Sequence, residues 1–217
     1  MIVFRIGEFL LTTVVTRQGK IRGFSEDDVT TFLGIRYGAP PVGVRRFRAP
    51  EMSSGWAGVA SATSYPNRAM QSKALSTLGL PVGGSVAEDC LFLNLVTPSV
   101  KGKLRPVIVW FHGGGFVAGS ANEYDGSVLA RQGDVVVVTV NSRLGPFGFL
   151  DLSYFGSDYI GSASNGLRDQ ILAMRWIAEN IEDYGGDPNN VTISGQSSGG
   201  SCVLSLLACP SANSFYH

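Results

Sequence analysis

Val191-Thr192-Ile193-Ser194-Gly195-Gln196-Ser197-Ser198-Gly199-Gly200 is a short β-branched run that stops abruptly at a G-x-S-x-G pattern. The reading that decides the fold is a strand turning sharply into a helix, with Ser197 at the turn and its hydroxyl presented beyond the carboxyl end of a sheet. Such a turn strains the serine backbone, and glycines two residues to either side let the neighbouring chain pack close. The same residues also fit an ordinary Gly/Ser turn, so the surrounding chain has to decide between the two.

Composition narrows the choice. A chain of 217 residues with 44% apolar and 16% charged residues reads as globular, long enough for one domain with a sizeable core or for part of a larger one. The formal net charge is zero and no basic stripe is evident, which argues against a nucleic-acid partner. The apolar N-terminal stretch 1–15 is interrupted by Arg5 and Glu8, so it lacks the long uncharged core of a signal peptide, and its uncharged remainder is too short to span a bilayer. It reads as the lead-in to a first strand.

Of the three cysteines, Cys202 and Cys209 are expected on one helix, about 10 Å apart and beyond disulfide reach. His112 and His217 stand at no zinc-motif spacing from a cysteine pair, so all three cysteines read as unpaired thiols and no metal site is expected. Nor does the sequence imply a cofactor.

Taken in order, residues 14–23 read as a strand with a turn at Gln18-Gly19, and Glu26-Asp27-Asp28 as a solvated turn before a strand from Val29. Two or three short antiparallel strands fit this region. Gly38-Ala39-Pro40-Pro41-Val42-Gly43 forces an extended excursion, and the chain from there to Gly84 is expected to be mostly loop, anchored by Trp56. Residues 88–98 are strand-like. Pro106-Val107-Ile108-Val109-Trp110-Phe111 is an uninterrupted apolar run, as a strand covered on both faces should be, and residues 134–140 carry five valines. Between these two strands, residues 126–132 make a short helix. Residues 165–184 make a longer one, with Leu167, Ile171, Met174, Ala178 and Ile181 on one apolar face and Gly185-Gly186-Asp187-Pro188 ending it. After the elbow strand a helix is expected over 198–208, stopped by Pro210. Strands alternating with helices argue for an α/β fold, a mostly parallel sheet with helices on both faces.

The chemistry follows from two motifs in context. A serine nucleophile needs donors for the oxyanion formed when it attacks a carbonyl. His112-Gly113-Gly114-Gly115, directly after a buried strand, fits an oxyanion loop, and the N–H of Ser198 at the first turn of a helix adds a further donor. A phosphate loop would want Lys and Ser or Thr after the glycines, where Phe116-Val117 stand instead. Nor is there a glycine fingerprint spaced for a nucleotide-binding domain.

On these residues the chain resembles the N-terminal part of a type-B carboxylesterase of the cholinesterase family, with the α/β-hydrolase fold. The resemblance is carried by Phe32 through Gly43, by Glu88-Asp89-Cys90-Leu91-Phe92-Leu93-Asn94, by the loop His112 to Phe116, by Asn141-Ser142-Arg143-Leu144-Gly145 with Gly148-Phe149-Leu150, and by Tyr184 through Gly199. It covers nearly the whole chain from Val14 onward. It implies that Ser197 is the nucleophile, that the N–H groups of Gly114, Gly115 and Ser198 form the oxyanion hole, that Arg46 and Glu88 form a structural ion pair, and that His112 serves the loop and is not the base. The substrate it implies is a small-molecule carboxylic ester.

There are departures. Gln196 stands for the usual glutamate, Ser198 for a common alanine and Tyr184 for a usual phenylalanine. Ala69 stands where many members carry the cysteine that pairs with the one at Cys90. Lack of that disulfide, together with lack of a clear signal peptide, favours the cytoplasm over secretion.

In this hydrolase order the nucleophile comes first, an acid next and the histidine last. No Asp or Glu follows Ser198, and His217 is the only later histidine. The chain is therefore expected to be the N-terminal part of one α/β-hydrolase domain over 1–217, with the base and acid lying elsewhere. Without them it is expected to be poorly soluble and to show no turnover of a p-nitrophenyl ester. The alternative reading is a cholinesterase-like binding or adhesion module that kept the fold and lost the chemistry. Acyl and alcohol preference and oligomeric state are not legible.

Overall fold

The computed structural model describes residues 5–6, 9–72 and 83–217, with side chains from residue 10 onward. Parts of the N-terminal stretch 1–15 and of the loop-rich run 43–84 therefore lie outside the described residues.

The valine and proline-bounded runs form the parallel centre of the sheet. β7 (Arg105–Phe111) lies between β8 (Val136–Val140) and β9 (Gly186–Gly195) and is parallel to both. Every residue of β8 is buried, as its unbroken β-branched composition requires. On β7, Val107, Val109 and Phe111 point into the main core while Ile108 and Trp110 are only half-buried, so the two faces are covered unequally.

An antiparallel wing continues the sheet from β8. It comprises β6 (Phe92–Thr97), β4 (Val29–Arg36), β3 (Gly19–Glu26), β2 (Phe9–Thr16) and the short β1 (Arg5–Ile6), giving the order β1-β2-β3-β4-β6-β8-β7-β9. β5 (Val59–Ser61) runs parallel beside β3. The wing is wider than two or three short strands, because the lead-in from Phe9 is itself part of a full strand. Its turns sit where Gln18-Gly19 and Asp27-Asp28 place them, and both aspartates adopt positive φ. Trp56 anchors the loop region: its indole N–H donates to the Lys20 carbonyl at 2.6 Å, and its ring lies against Gly19.

Four helices fill the connections among the described residues. α1 (Ser127–Gly133) lies between β7 and β8, and α2 (Gly145–Phe149) follows β8. α3 (Asn165–Asn180) is shorter than the apolar periodicity suggests, since residues 181–184 tighten into a 3-10 turn and Gly185 ends it at φ 84°. The expected face is buried in part, with Met174 and Ile181 fully enclosed, but burial extends beyond it. Leu167, Ile171 and Ala178 are only half-buried, while Ala173, Met174, Trp176 and Ile177 are fully enclosed together with Asp169, Gln170 and Asn180. The reason is that α3 is covered on several sides. It packs on α2, on β9 and on α4 (Ser198–Leu207), and Trp176 reaches across to Gln18, its indole N–H donating to Gln18 Oε1 at 2.8 Å.

The expected strand at 134–140 begins two residues later, because Asp134 caps α1 in the left-handed region at φ 48° and takes ion pairs from Lys103 and Arg105. Cys209 lies just beyond α4 at the start of a 3-10 turn, so it does not share a helix with Cys202 as expected. All three cysteines are free, and Cys90 and Ala69 are both buried in the main core cluster. No helix among the described residues is long and apolar enough to cross a membrane.

Candidate active site

The two motifs leave neighbouring parallel strands at the same end. Phe111, the last residue of β7, pairs with Gly195, the last of β9, and the glycine loop and the elbow diverge from there side by side. The Gln196 N–H closes the junction by donating to the Phe111 carbonyl at 3.3 Å.

At the elbow Ser197 adopts φ 55° and ψ −124°, a conformation L-residues rarely hold, immediately before the first turn of α4. Its side chain is exposed. The flanking glycines are there for space: a Cβ on Gly199 would run into the Phe111 and His112 carbonyls, and one on Gly195 would meet the backbone of Gly199 at 2.5 Å. With side chains at either position the strand and helix could not close this tightly.

The loop opposite is built the same way. Gly114 and Gly115 have φ 116° and 62°, and a Cβ on Gly114 would strike the Ala118 carbonyl. A Cβ on Gly113 would lie 3.1 Å from the Ser197 Cβ, which places this loop directly against the nucleophile candidate. Ser198 begins α4, where helix N–H groups have no intrahelical acceptor. None of the N–H groups of Gly114, Gly115 and Ser198 donates to an acceptor among the described residues.

The far side of the loop is pinned by polar side chains to which sequence reading assigned no role. Asn141, directly after β8, accepts from the Ser120 hydroxyl at 3.1 Å and from the Ala121 N–H at 2.9 Å, while its own carbonyl accepts from the Tyr37 hydroxyl at 2.6 Å. Two residues on, Arg143 is held by Asp169 of α3. The available signal was a run of polar residues directly after a buried strand, where unpaired polar groups would be costly. Phe116 fixes the loop through its backbone. It holds φ 64°, and its carbonyl accepts from the Gly145 N–H at 2.7 Å.

His112 is buried in its own loop. Its Nδ1 donates to the Gly113 carbonyl at 2.8 Å, and burial lowers its pKa below the ordinary value although that bond opposes the shift. His217 lies beside the middle of β9, where its Nδ1 accepts from the Val191 N–H at 3.3 Å, six residues before Ser197. Arg46 and Glu88 make the ion pair the resemblance implies, with bonds of 2.5 and 2.7 Å, in a partly exposed setting.

An apolar cleft of about 650 Å³ is lined by Phe116, Phe149, Leu167 and Cys202 between α2, α3 and α4, and no residue of Gly195–Gly199 lines it. A more polar one of about 210 Å³, lined by Glu26, Asp27 and Asp125 near α1, shares no lining residue with the elbow or the glycine loop. No cluster of three or more His, Cys, Asp or Glu that could hold a metal is present among the described residues.

Residues 11–217 match the carboxylesterase family. The chain is 46% identical over 205 residues to a para-nitrobenzyl esterase of Bacillus subtilis, covering 94% of this chain and 42% of that protein. It superposes on the carboxylesterase EST55 of Geobacillus stearothermophilus with a TM-score of 0.88 at 43% identity, covering 95% of this chain and 42% of the other. Neuroligin-2 of Mus musculus is 37% identical over 244 residues, with 93% of this chain and 29% of that protein covered. The chain thus spans less than half the length of these relatives. It belongs to the carboxylesterase family and has the α/β-hydrolase fold.

Proposed function

We propose that residues 1–217 form part of one α/β-hydrolase domain of a serine hydrolase that cleaves carboxylic esters of small molecules, with Ser197 as nucleophile and the N–H groups of Gly114, Gly115 and Ser198 as the oxyanion hole. The observation that carries this reading is the strained Ser197 at the end of β9, set against a glycine loop that leaves the adjacent β7.

In this reaction Ser197 Oγ attacks the ester carbonyl carbon while a base takes its proton, and the carbonyl oxygen becomes an oxyanion facing the three N–H groups. The C–O bond to the alcohol then breaks, the alcohol leaves with a proton, and an acyl-Ser197 ester remains. Water attacks that ester, releasing the acid and restoring the hydroxyl. Neither histidine of this chain stands ready as the base: His112 is tied to Gly113 and His217 to Val191. The base and acid are therefore assigned to residues outside 1–217.

The test is labelling of the intact protein that carries residues 1–217 with a fluorophosphonate. Label on Ser197, lost together with p-nitrophenyl ester turnover in Ser197→Ala, is the expected result. A second reading is a module that keeps the fold without the chemistry, and a protein that takes no label on Ser197 would favour it.

A further inference from the structure

We propose that Gln71 is a positioning residue for the reaction: its side-chain amide holds the glycine loop in the shape that presents the Gly114 and Gly115 N–H groups to the oxyanion. This rests on the ester-hydrolase reading above. Gln71 Oε1 accepts from the Gly119 N–H at 3.0 Å, and its Nε2 donates to the Gly119 carbonyl at 2.9 Å. One amide thus takes both backbone groups of Gly119, as a neighbouring strand would, from 48 residues away along the chain. Among the described residues no other group bonds to either of them. A backbone N–H can only donate and a carbonyl only accept, so these bonds also fix which way round the amide stands.

Gly119 is where the loop closes on itself. It holds φ 100°, and a Cβ there would strike the Gly113 carbonyl and lie 2.7 Å from His112 Nδ1. Within the ring so formed, the Gly114 carbonyl accepts from the Val117 and Ala118 N–H groups at 3.2 and 3.1 Å, and Gly114 packs against the Ala118 carbonyl too closely for a Cβ. Gly113, which Gly119 touches, is the residue set against Ser197. Gly145 holds this ring at Phe116, and Gln71 holds it at Gly119. Gln71 reaches the loop from a firm base. The Arg68 N–H donates to the Ser85 carbonyl at 2.7 Å, the Arg68 carbonyl accepts from the Ala87 N–H at 3.0 Å, and Asn67 Nδ2 donates to the Asp89 carbonyl at 3.2 Å. The second hydrogen on Gln71 Nε2 goes to the Ala69 carbonyl at 3.1 Å, which orders the side chain against its own segment. Without the amide, both polar groups of Gly119 lose their partner at a glycine, the residue with the widest choice of backbone angles. The loop then relaxes from its closed end, and the donors at Gly114 and Gly115 move with it.

The test compares the intact wild type with two variants. Gln71→Met keeps the length and loses all three bonds, while Gln71→Glu keeps an acceptor for the Gly119 N–H but sets a carboxylate oxygen against the Gly119 and Ala69 carbonyls. Gln71 is only half-buried, so neither change opens the core. In both variants the rate constant of fluorophosphonate labelling, taken per labelled site, and kcat for p-nitrophenyl acetate should fall at least about tenfold, with KM within about twofold, because a misplaced donor is missed only once the oxyanion forms. A merely structural role would lower the labelled fraction and leave the rate per site as it is. Hydrogen exchange of the backbone amides over residues 113–119 should quicken about tenfold in Gln71→Met, whatever the chemistry at Ser197. Rates per site equal to the wild type in both variants, a rise in KM at unchanged kcat, or unchanged loop exchange overturns the proposal. A wild type that takes no label on Ser197 overturns the hydrolase reading instead, and the exchange measurement still decides whether Gln71 holds the loop.

Discussion

Asp169, inside α3, grips Arg143 in the loop after β8: Asp169 oxygens accept from the Arg143 Nε at 2.9 Å, from its Nη2 at 2.7 Å and from its backbone N–H at 2.9 Å. The pair is almost wholly buried, with side-chain exposures of 3% and 0%, and Arg143 also donates to the Arg48 carbonyl. Burial pushes the Asp169 carboxyl up, while the guanidinium pulls it back down. The pair joins α3 to the loop that leads into α2, whose first residue in turn holds Phe116.

Asp169→Asn leaves a buried guanidinium without its counter-charge, which costs about 3–5 kcal/mol. Urea unfolding of the intact protein should show that loss, and replacing both partners together, Arg143→Met with Asp169→Leu, should recover a large part of it. A loss under about 1 kcal/mol for the single variant would mean that the pair contributes no more than a surface ion pair does.

Gly199→Ala tests the elbow as a packing problem. The new Cβ would collide with the Phe111 carbonyl, a backbone atom that cannot swing aside, so α4 must shift away from β7. The expected cost is about 1–3 kcal/mol, the range for inserting a methyl group into close-packed structure. The same shift displaces the Ser198 N–H, so fluorophosphonate labelling should fall with stability. Gly200→Ala is the control, since a Cβ there has only ordinary contact, 3.5 Å from the Gly195 carbonyl. Equal effects of the two substitutions would contradict the packing account.

The motifs were legible because each encodes a backbone requirement in residue types: glycines at 195 and 199 where Cβ atoms cannot fit, and at 114 and 115 where φ is positive. The parallel centre was legible from unbroken β-branched runs. Less was readable where burial comes from several neighbours at once. Helical periodicity placed Leu167, Ile171, Met174, Ala178 and Ile181 on one face, of which Met174 and Ile181 are fully buried, while covering by α2, α4 and β9 also buries Asp169, Gln170 and Trp176. Nor does local sequence reveal that Asn141 holds Ser120 and Ala121 or that Arg143 is tied to Asp169, since these partners lie 20 or more residues away along the chain.

Ser197→Gly separates strain from chemistry. At φ 55° and ψ −124° a non-glycine residue stores about 1–3 kcal/mol, part of which glycine gives back through greater freedom in the unfolded chain. The net expectation is a gain of about 1 kcal/mol in unfolding free energy, with no label and no turnover. Ser197→Ala should be equally unreactive without that gain. If alanine stabilises as much as glycine, the effect belongs to loss of the hydroxyl and not to the backbone.

His112 gives the fold a pH dependence whose sign follows from its burial. Desolvation lowers its pKa below the ordinary 6.5, although the Gly113 carbonyl that accepts from Nδ1 favours the protonated form. The unfolded chain therefore binds a proton at higher pH than the folded one does. Its contribution is fully present above about pH 6.5 and is lost as pH falls through the depressed folded value. The Asp169 carboxyl, raised in the folded state, has the opposite sign, with a contribution present at low pH and lost as pH rises above the ordinary carboxylate range. Comparing wild type with His112→Gln isolates the histidine. Between pH 7.5 and 5.5 the wild type should lose more unfolding free energy than the variant, and a variant that loses as much would show that the acid sensitivity originates elsewhere in the sheet.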